Sequence, residues 1–162
     1  MILIAAGSNL PFCGLDSQQI VFRSFLAIGR FARLVSQSPL FDSPAWPDRG
    51  HPRFVNAAAR VETDLTPAAL LAALLAVEAA FGRRRGLANA PRTLDLDLID
   101  YHGQLVGEPE AALRLPHPGH AARDFVLGPI GEIAPEWRSP VTGKTAAEML
   151  AATPQRTARR IA

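Results

Sequence analysis

The sequence predicts an α+β domain with a ferredoxin-like plait, in which an antiparallel sheet carries helices on one face and ligand loops on the other. Three observations lead to this prediction. The predicted elements follow the order β-α-β-β-α-β. Two segments alternate apolar and polar residues, as strands do when one face packs on a core. Two further segments repeat apolar residues at helical spacing, which favours helices packed on that core.

The first half of the chain supplies three elements and a long loop. Residues 2–6 are apolar and end at Gly7, which indicates a buried strand. Residues 16–32 carry apolar side chains at helical spacing, and residues 34–38 are typical of a second strand. Residues 39–52 contain four prolines, so we expect an irregular loop. Such long loops in small domains are often functional.

The second half begins with the strand of clearest alternation. Residues 53–63 alternate, with Val55, Ala57, Ala59 and Val61 on one face and Phe54, Asn56 and Arg60 among those on the other. Thr66 can cap the following helix with Pro67 at its first position, and Gly82 stands where that helix should end. Residues 93–99 alternate again, which predicts the last strand of the plait.

The remaining residues are predicted to be appended pieces. Residues 104–123 contain three prolines and look irregular, whereas residues 125–133 and 144–152 are predicted short helices. A chain of 162 residues, 48% of them hydrophobic, fits one domain with a real core.

The composition limits the compartment and the partners. A formal net charge of +2 does not by itself indicate a class of partner. The excess of Arg over Lys suits phosphate binding, but it also follows from a GC-rich genome. The single Cys13 excludes an intramolecular disulfide, and the apolar start of the chain is too short to span a bilayer. We therefore expect a cytoplasmic protein with no membrane partner.

Asp95-Leu96-Asp97 is the pattern most directly tied to chemistry. In a strand, residues i and i+2 share a face, so both carboxylates project together. Two ionised carboxylates this close repel each other and favour a divalent cation, and oxygen ligands suit Mg²⁺. The alternative is an exposed strand face with two solvated acids.

Arginines precede this acid pair, with Arg83, Arg84, Arg85 and Arg92 inside ten residues. Guanidinium groups match phosphate oxygens through paired, charge-assisted hydrogen bonds. The alternative is favourable positive charge after a helix C-terminus. Cations beside a metal site in one stretch are the pattern that phosphoryl transfer needs.

Other candidate positions each keep two interpretations. Glu78 lies among leucines and either hydrogen-bonds a ligand or pairs with an arginine at the rim. Phe54 and Asn56 share a strand face and either hold a flat heterocycle or form an ordinary exposed pair. Trp46 is a lid residue or a loop anchor, and His117 is a ligand contact or a structural histidine.

The segment APRTLDLDLI at residues 90–99 resembles the signature of the 6-hydroxymethyl-7,8-dihydropterin pyrophosphokinase family of the folate pathway. Further blocks resemble the same family in the same order, and the match spans about residues 5–137. These blocks are residues 6–10, 54–58, 78 with 81–83, 115–118 with 123–127, and 132–136.

The resemblance implies a single pyrophosphokinase domain over residues 1–162, monomeric, with ATP and a reduced pterin as its small-molecule partners. It implies two Mg²⁺ ions held by Asp95 and Asp97, with Arg92 as a further catalytic residue. Contacts to ATP are implied for Glu78, Arg83, Arg85, Arg92, Leu98, His117 and Arg123. Contacts to the pterin are implied for Ser43, Pro44, Trp46, Phe54, Asn56 and Phe125.

The sequence also departs from the family pattern. Asn89-Ala90 stands where an aromatic residue and Gly are common before the Pro-Arg pair, and Phe54 stands where a Tyr is common. An arginine often found shortly before the histidine is displaced, and Arg114 is the nearest candidate for its place.

Three rival functions suit parts of the same pattern. An RNA-binding plait would carry aromatic and basic residues where Asp95 and Asp97 stand, and these acids would repel phosphate without a metal. We therefore expect no nucleic-acid partner. A nucleotidyl transferase uses a similar acid pair but releases a different product. A nucleotide sensor would bind ATP without turnover.

Overall fold

The protein is described by a computed structural model that covers residues 1–45, 49–84, 90–108, 111–154 and 156–161. Within these residues the chain forms a six-stranded antiparallel sheet and four α-helices. The strands are β1 (Ile2–Ser8), β2 (Arg33–Gln37), β3 (Phe41–Ser43), β4 (Phe54–Glu62), β5 (Asp95–Tyr101) and β6 (Arg159–Arg160). The helices are α1 (Ser17–Ile28), α2 (Pro67–Ala80), α3 (Asp124–Ile133) and α4 (Ala146–Ala152), with a short 3-10 helix at His120–Ala122.

The sheet runs in the order β5-β1-β4-β3-β6, and β2 also pairs with β4. Strand β1 lies between β4 and β5, so its residues 2–7 each pair with one residue of β4 and one of β5 and form rows across the sheet. Gly7 pairs with Asn56 on β4 and with Asp95 on β5. Since paired residues in antiparallel strands share a face, Asn56 and the two acids project to the same side of the sheet.

One face of the sheet carries the main core beneath α1 and α2. Helix α2 begins at the predicted cap, where the Thr66 hydroxyl accepts the Ala69 N–H at 3.3 Å, and α1 begins with a capping box between Asp16 and Gln19. Gly82 has φ of +74° directly after α2, as predicted for a helix stop. The buried side chains of this core include Ile4, Phe25, Leu70, Leu74, Leu96 and Leu98.

The opposite face is divided between two helices and a cleft. Helices α3 and α4 pack over Leu3, Ala58 and Ile99. Beyond them, where Gly7 and Asp95 lie, one cavity opens on this face, and a second runs along the β5 edge beside α2. The ferredoxin-like class is confirmed, and the short helices predicted near the C-terminus prove to share the second face with the ligand loops.

Residues 39–52 contain a strand, so the expectation of an irregular loop was wrong there. β3 occupies Phe41–Ser43 and pairs with β4 on one side and β6 on the other. Its three residues fit between Pro39 and Pro44, whose missing N–H groups fall outside the ladder.

Within the parts of the chain that the structure describes, no helix combines the length and apolar character needed to cross a membrane.

Candidate active site

Asp95 and Asp97 lie side by side on the exposed end of the second face. Asp95 pairs with Gly7 and Asp97 with Ala5, so small residues of β1 stand next to both acids. On the reverse side of β5, Leu94, Leu96 and Leu98 are buried in the main core and hold the strand rigidly. The alternation of residues 93–99 therefore predicted the direction of both carboxylates correctly.

Two arginines flank the Asp95 carboxylate. Arg83 Nη1 lies 3.1 Å from Oδ1, and Arg92 Nη1 lies 2.8 Å from Oδ2. Arg83 Nη1 also donates to the Leu94 carbonyl at 2.9 Å, and the Arg92 guanidinium stands 5.6 Å from the centre of the Phe54 ring. Each guanidinium is thus oriented by Asp95 and by one further contact.

A histidine and an arginine flank the Asp97 carboxylate at longer range. His117 Nε2 lies 3.6 Å from Oδ1, and Arg123 Nη1 lies 3.8 Å from Oδ2. Desolvation in the cleft raises the pKa of Asp97 above its usual range, the Asp95 charge raises it further, and His117, Arg123 and Arg92 oppose the rise. Additional positive charge beside Asp97 would therefore favour its ionised form.

His117 is oriented as a hydrogen-bond donor toward the acid pair. The Gly119 N–H donates to His117 Nδ1 at 3.2 Å, so the neutral ring carries its proton on Nε2, the atom that faces Asp97. Burial lowers the pKa of His117 below its usual value, Asp97 partly offsets this, and Arg123 adds to the lowering. Burial thus favours the neutral ring, in which Nε2–H is the donor that faces Asp97.

The acid pair fits a hard divalent cation. The mutual repulsion that raises the pKa of Asp97 is removed when a cation lies between the carboxylates. Among the described residues, no group of three or more His, Cys, Asp or Glu side chains is arranged to hold a metal. Mg²⁺ is typically bound through one or two carboxylates, with substrate phosphates and water completing its shell. The donor set therefore suits Mg²⁺ that is shared with a nucleotide.

Asn9 fixes the backbone of Arg92. Its Oδ1 accepts the Arg92 N–H at 2.7 Å, and its Nδ2 donates to the Pro52 carbonyl at 2.9 Å. The N–H groups of Asn9 and Leu10 both donate to the Arg92 carbonyl, at 3.1 and 3.2 Å. One buried amide thus joins the end of β1, the arginine segment and the loop before β4.

The first cavity, named here the amide cavity, is centred on Asn56. Asn56 Nδ2 donates to Ser43 Oγ at 3.0 Å, and the residue is only 5% exposed. The lining is completed by Gly7, Pro44, Phe54, Arg92, Asp95, Asp97, Arg123, Phe125 and the neighbouring apolar residues. Two aromatic rings and a buried amide are suited to a flat ring with hydrogen-bonding edges.

Gly7 forms part of the floor of the amide cavity. A Cβ at this position would stand 3.3 Å from Asn56 Oδ1 and 3.6 Å from the Phe54 ring. The sequence pattern placed Gly7 only at the end of a strand. Its role in leaving room beside Asn56 depends on pairing with a strand about fifty residues away.

The second cavity, named here the edge cavity, runs along β5, which forms one edge of the sheet. Its lining combines leucines of α2, the acid pair and several polar side chains. The polar and β5 residues are Glu78, Arg83, Asp95, Leu96, Asp97, Leu98, Arg114 and His117. The acid pair lines both cavities, so it stands at their common wall.

Glu78 is buried, whereas one of its two interpretations from the sequence was an exposed residue at the rim. It is 5% exposed, and its Oε1 accepts the Leu96 N–H of β5 at 2.8 Å. An N–H on the outer edge of a sheet lacks a neighbouring strand, and this carboxylate supplies the acceptor. The burial follows from the packing of α2 against β5, which the leucine stripe alone did not indicate.

All described residues that the family resemblance assigned to ligands line one of the two cavities. Ser43, Pro44, Phe54, Asn56, Arg92, Arg123 and Phe125 line the amide cavity, Glu78, Arg83, Leu98 and His117 line the edge cavity, and Asp95 and Asp97 line both. Trp46 and Arg85 lie outside the described residues. The sequence patterns assigned no role to Asn9 or Asp124, although both fall within the motif blocks.

Comparison with known proteins agrees with this arrangement. Residues 3–135 match the family model described as 7,8-dihydro-6-hydroxymethylpterin-pyrophosphokinase. The chain is 40% identical over 155 residues to a 2-amino-4-hydroxy-6-hydroxymethyldihydropteridine pyrophosphokinase of Pseudomonas aeruginosa, covering 94% of this chain and 91% of that protein. It is also 40% identical over 119 residues to a protein of the same name from Methylorubrum extorquens, covering 74% and 73% respectively.

Solved structures support the fold. A crystal structure of an HPPK-DHPS protein in complex with substrates superposes with a TM-score of 0.73 at 11% identity, over 98% of this chain and 46% of that one. A Plasmodium falciparum HPPK-DHPS triple mutant gives 0.74 at 11% identity, over 99% and 47%. This chain thus spans just under half of those longer chains. With the matched family model and the curated relatives, these findings establish that the chain belongs to the 7,8-dihydro-6-hydroxymethylpterin-pyrophosphokinase family.

Proposed function

We propose that this protein transfers pyrophosphate from ATP to the hydroxyl of 6-hydroxymethyl-7,8-dihydropterin, giving AMP and the pterin diphosphate in folate biosynthesis. The observation that carries the proposal is the position of Asp95 and Asp97 on the common wall of the two cavities. One cavity suits a flat ring and the other is lined by cations, and the two carboxylates lie between them. In phosphoryl transfer, metal-binding carboxylates in that position bring the phosphate chain to its acceptor.

The amide cavity takes the pterin in this proposal. The ring stacks between Phe54 and Phe125, and its hydrogen-bonding edge meets Asn56 and the segment at Ser43 and Pro44. Asn56 supports this role because its Nδ2 is already committed to Ser43 Oγ at 3.0 Å, which directs its Oδ1 to accept from a ligand N–H. Trp46 remains a proposed contact from the same loop.

The edge cavity takes ATP, with its phosphates directed toward the acid pair. Arg92 and Arg123 reach this point from the amide cavity, while Arg83 and His117 reach it from the edge cavity. Glu78 and Leu98 line the part along β5, and Arg114 lines it as well. We propose that Arg114 supplies the cation that the displaced family arginine supplies elsewhere, and that Arg85 is a further nucleotide contact.

Asp95 and Asp97 would hold two Mg²⁺ ions together with the phosphate oxygens. The bound metal neutralises charge on the phosphate oxygens and holds them in position for an in-line displacement. In that displacement the pterin hydroxyl oxygen forms a bond to the β-phosphorus. The bond from that phosphorus to the oxygen bridging the α-phosphate breaks, AMP leaves with the bridging oxygen, and the proton of the hydroxyl is released to water.

The protein's own contribution is positioning and electrostatic stabilisation. Arg83 and Arg92, now 3.1 and 2.8 Å from Asp95, are placed to contact the charge that shifts onto the departing oxygens. The neutral His117 ring donates a hydrogen bond from its Nε2–H to a phosphate oxygen in this proposal. Rigid walls on both sides keep the hydroxyl and the phosphate chain in reach, which removes much of the entropy cost of bringing two substrates together.

Product analysis tests the proposal directly. The protein is incubated with ATP, Mg²⁺ and 6-hydroxymethyl-7,8-dihydropterin. The nucleotides and pterins are then separated by chromatography, identified by mass spectrometry and quantified. We expect AMP and pterin diphosphate in equal amounts. Release of ADP, release of pyrophosphate with an adenylylated acceptor, or ATP binding without turnover would each contradict it.

We further propose that residues 1–162 act as one domain, monomeric and cytoplasmic. The single domain is supported by the continuous sheet, which joins Ile2–Ser8 to Arg159–Arg160. Light scattering during size exclusion tests the monomer, and a single cooperative unfolding transition tests the single domain.

A further inference from the structure

The segment of residues 156–161, named here the strap, returns to the sheet after α4. Its strand β6 pairs with β3, with Arg160 opposite Phe41 and Arg159 opposite Asp42. The Ile161 N–H donates to the Leu40 carbonyl at 2.8 Å. The strap therefore covers the edge that β3 would otherwise expose.

A buried carboxylate holds the other end of the strap. Asp124 is 6% exposed, and its Oδ2 accepts three donors from two strap residues: the Thr157 N–H, the Thr157 hydroxyl at 3.2 Å and the Ala158 N–H at 2.8 Å. A buried carboxylate is tolerated when hydrogen bonds replace its hydration, and bonds to an ionised acceptor are among the stronger ones. This contact joins parts of the chain 33 and 34 positions apart.

The two attachment points of the strap each lie next to residues that line the amide cavity. Asp124 stands between Arg123 and Phe125, which line one wall. β3 ends at Ser43, which lines another wall together with Pro44 and accepts the Asn56 hydrogen bond. A shift of either attachment point therefore moves a wall of the cavity.

β3, α3 and the strap behave as one packed unit. The Phe41 ring lies 3.2 Å from the place of a Cβ on Gly128 of α3, so ring and helix are in close contact. Arg160 of the strap and Glu132 of α3 form an exposed ion pair at 3.9 Å, which contributes little energy. The three buried bonds at Asp124 are therefore the main specific tie between strap and helix.

We propose that Asp124 and Thr157 are positioning residues that set the spacing of the two walls of the amide cavity, and so control affinity for the pterin more than affinity for ATP. The inference rests on the proposed function, because it names the ligand of that cavity. The selectivity follows from placement: β5 and the edge cavity lie at the opposite edge of the sheet from β3 and β6. Arg123, next to Asp124, also reaches Asp97 at 3.8 Å, so we expect a smaller effect on ATP rather than none.

The test compares Asp124→Ala, Asp124→Asn, Thr157→Val and the double variant Asp124→Ala/Thr157→Val with a matched control. Glu148 supplies that control, since its Oε2 accepts the Thr145 N–H at 2.7 Å and the Thr145 hydroxyl at 3.0 Å at the start of α4. Glu148→Ala removes a comparable carboxylate contact outside both cavities. Each full-length variant is assayed well below its measured Tm.

We expect Asp124→Ala to raise the KM and the Kd for the pterin roughly tenfold, as the loss of a buried charged acceptor would. The KM for ATP should change about threefold or less, and Glu148→Ala should change neither beyond twofold. Asp124→Asn keeps an acceptor oxygen and should recover most of the pterin affinity. Thr157→Val should give a smaller loss in the same direction, and the double variant should lose less than the sum of the singles.

The proposal is overturned if folded Asp124→Ala binds the pterin as Glu148→Ala does, or if the KM values for pterin and ATP rise equally. If Asp124→Ala does not fold, Thr157→Val decides: an unchanged pterin Kd overturns the proposal. Failure of the proposed function looks different, because the unmodified protein would then make no pterin diphosphate at all.

Discussion

Replacement of Asn9 by Ala removes the amide that fixes the backbone of Arg92. Two side-chain hydrogen bonds are lost, at 2.7 Å to the Arg92 N–H and at 2.9 Å to the Pro52 carbonyl, from a residue that is 4% exposed. At about 1 kcal/mol net for each bond, with an added penalty for buried groups left unpaired, we expect the free energy of unfolding to fall by about 2–3 kcal/mol.

Activity should fall more than this stability loss explains. Arg92 reaches Asp95 at 2.8 Å, and a displacement of about 1 Å in a group that stabilises the transition state costs up to about a hundredfold in rate. We therefore expect kcat to fall by about 10- to 100-fold in a variant that remains folded at the assay temperature. The measurements are AMP release at saturating substrates and urea unfolding followed by circular dichroism.

Two further variants distinguish the loss of the Asn9 hydrogen bonds from the loss of side-chain packing. Asn9→Asp keeps the acceptor for the Arg92 N–H but places an acceptor against the Pro52 carbonyl, so it should retain more activity than Asn9→Ala. The neighbouring Ser8→Ala loses only a 3.5 Å contact to the Leu10 carbonyl and serves as the control. If Asn9→Ala loses stability while its kcat stays within twofold of the unmodified protein, Asn9 does not position Arg92 and the argument is refuted.

Four further outcomes are expected. Asp97→Ala should abolish turnover with little change in the free energy of unfolding, and a near-normal rate of AMP formation would reject its metal role. Arg92→Ala should lose about 2–4 kcal/mol of transition-state stabilisation, read as kcat/KM, as comparable electrostatic donors do; an unchanged kcat/KM would contradict this. Asn56→Ala should weaken pterin binding more than ATP binding in calorimetry, and equal losses would argue against the pocket assignment. Hydrogen bonds from Thr145 hold the pKa of Glu148 below its ordinary value of 4.5. Glu148→Gln should therefore lower Tm at neutral pH, and the difference should vanish as the pH falls through the folded-state pKa; a constant difference would refute it.

Much of the site was predictable because it depends on strand periodicity. The alternation of residues 93–99 determines that Asp95 and Asp97 share a face, and the alternation of residues 53–63 gives Phe54 and Asn56 a common face in the same way. Both are local properties of the chain. The sheet then needed only antiparallel pairing through β1 to bring the two sets into neighbouring rows.

Other features depend on partners far along the chain. Asn9 bonds to the backbone of a residue 83 positions away, and Asp124 bonds to residues more than thirty positions away. No periodicity marks either residue. β6 has only two residues and β3 only three, which is too short for an alternation to mark either strand in the sequence.

Glu78 illustrates a different limit. Its leucine neighbours predicted a helix margin correctly, but its burial depends on the outermost strand needing an acceptor for the Leu96 N–H. A carboxylate that satisfies a sheet edge and one that contacts a ligand look alike in sequence, because the difference lies in which element packs against the helix.

The bareness of β1 beneath the amide cavity limits how the enzyme's substrate range can be redesigned. Gly7 has no side chain to remove and Ala5 has only a methyl group, so substitutions there can deepen the pocket very little. A bulkier heterocycle would have to be accommodated by smaller side chains at Phe54 or Phe125, at the expense of the proposed stacking.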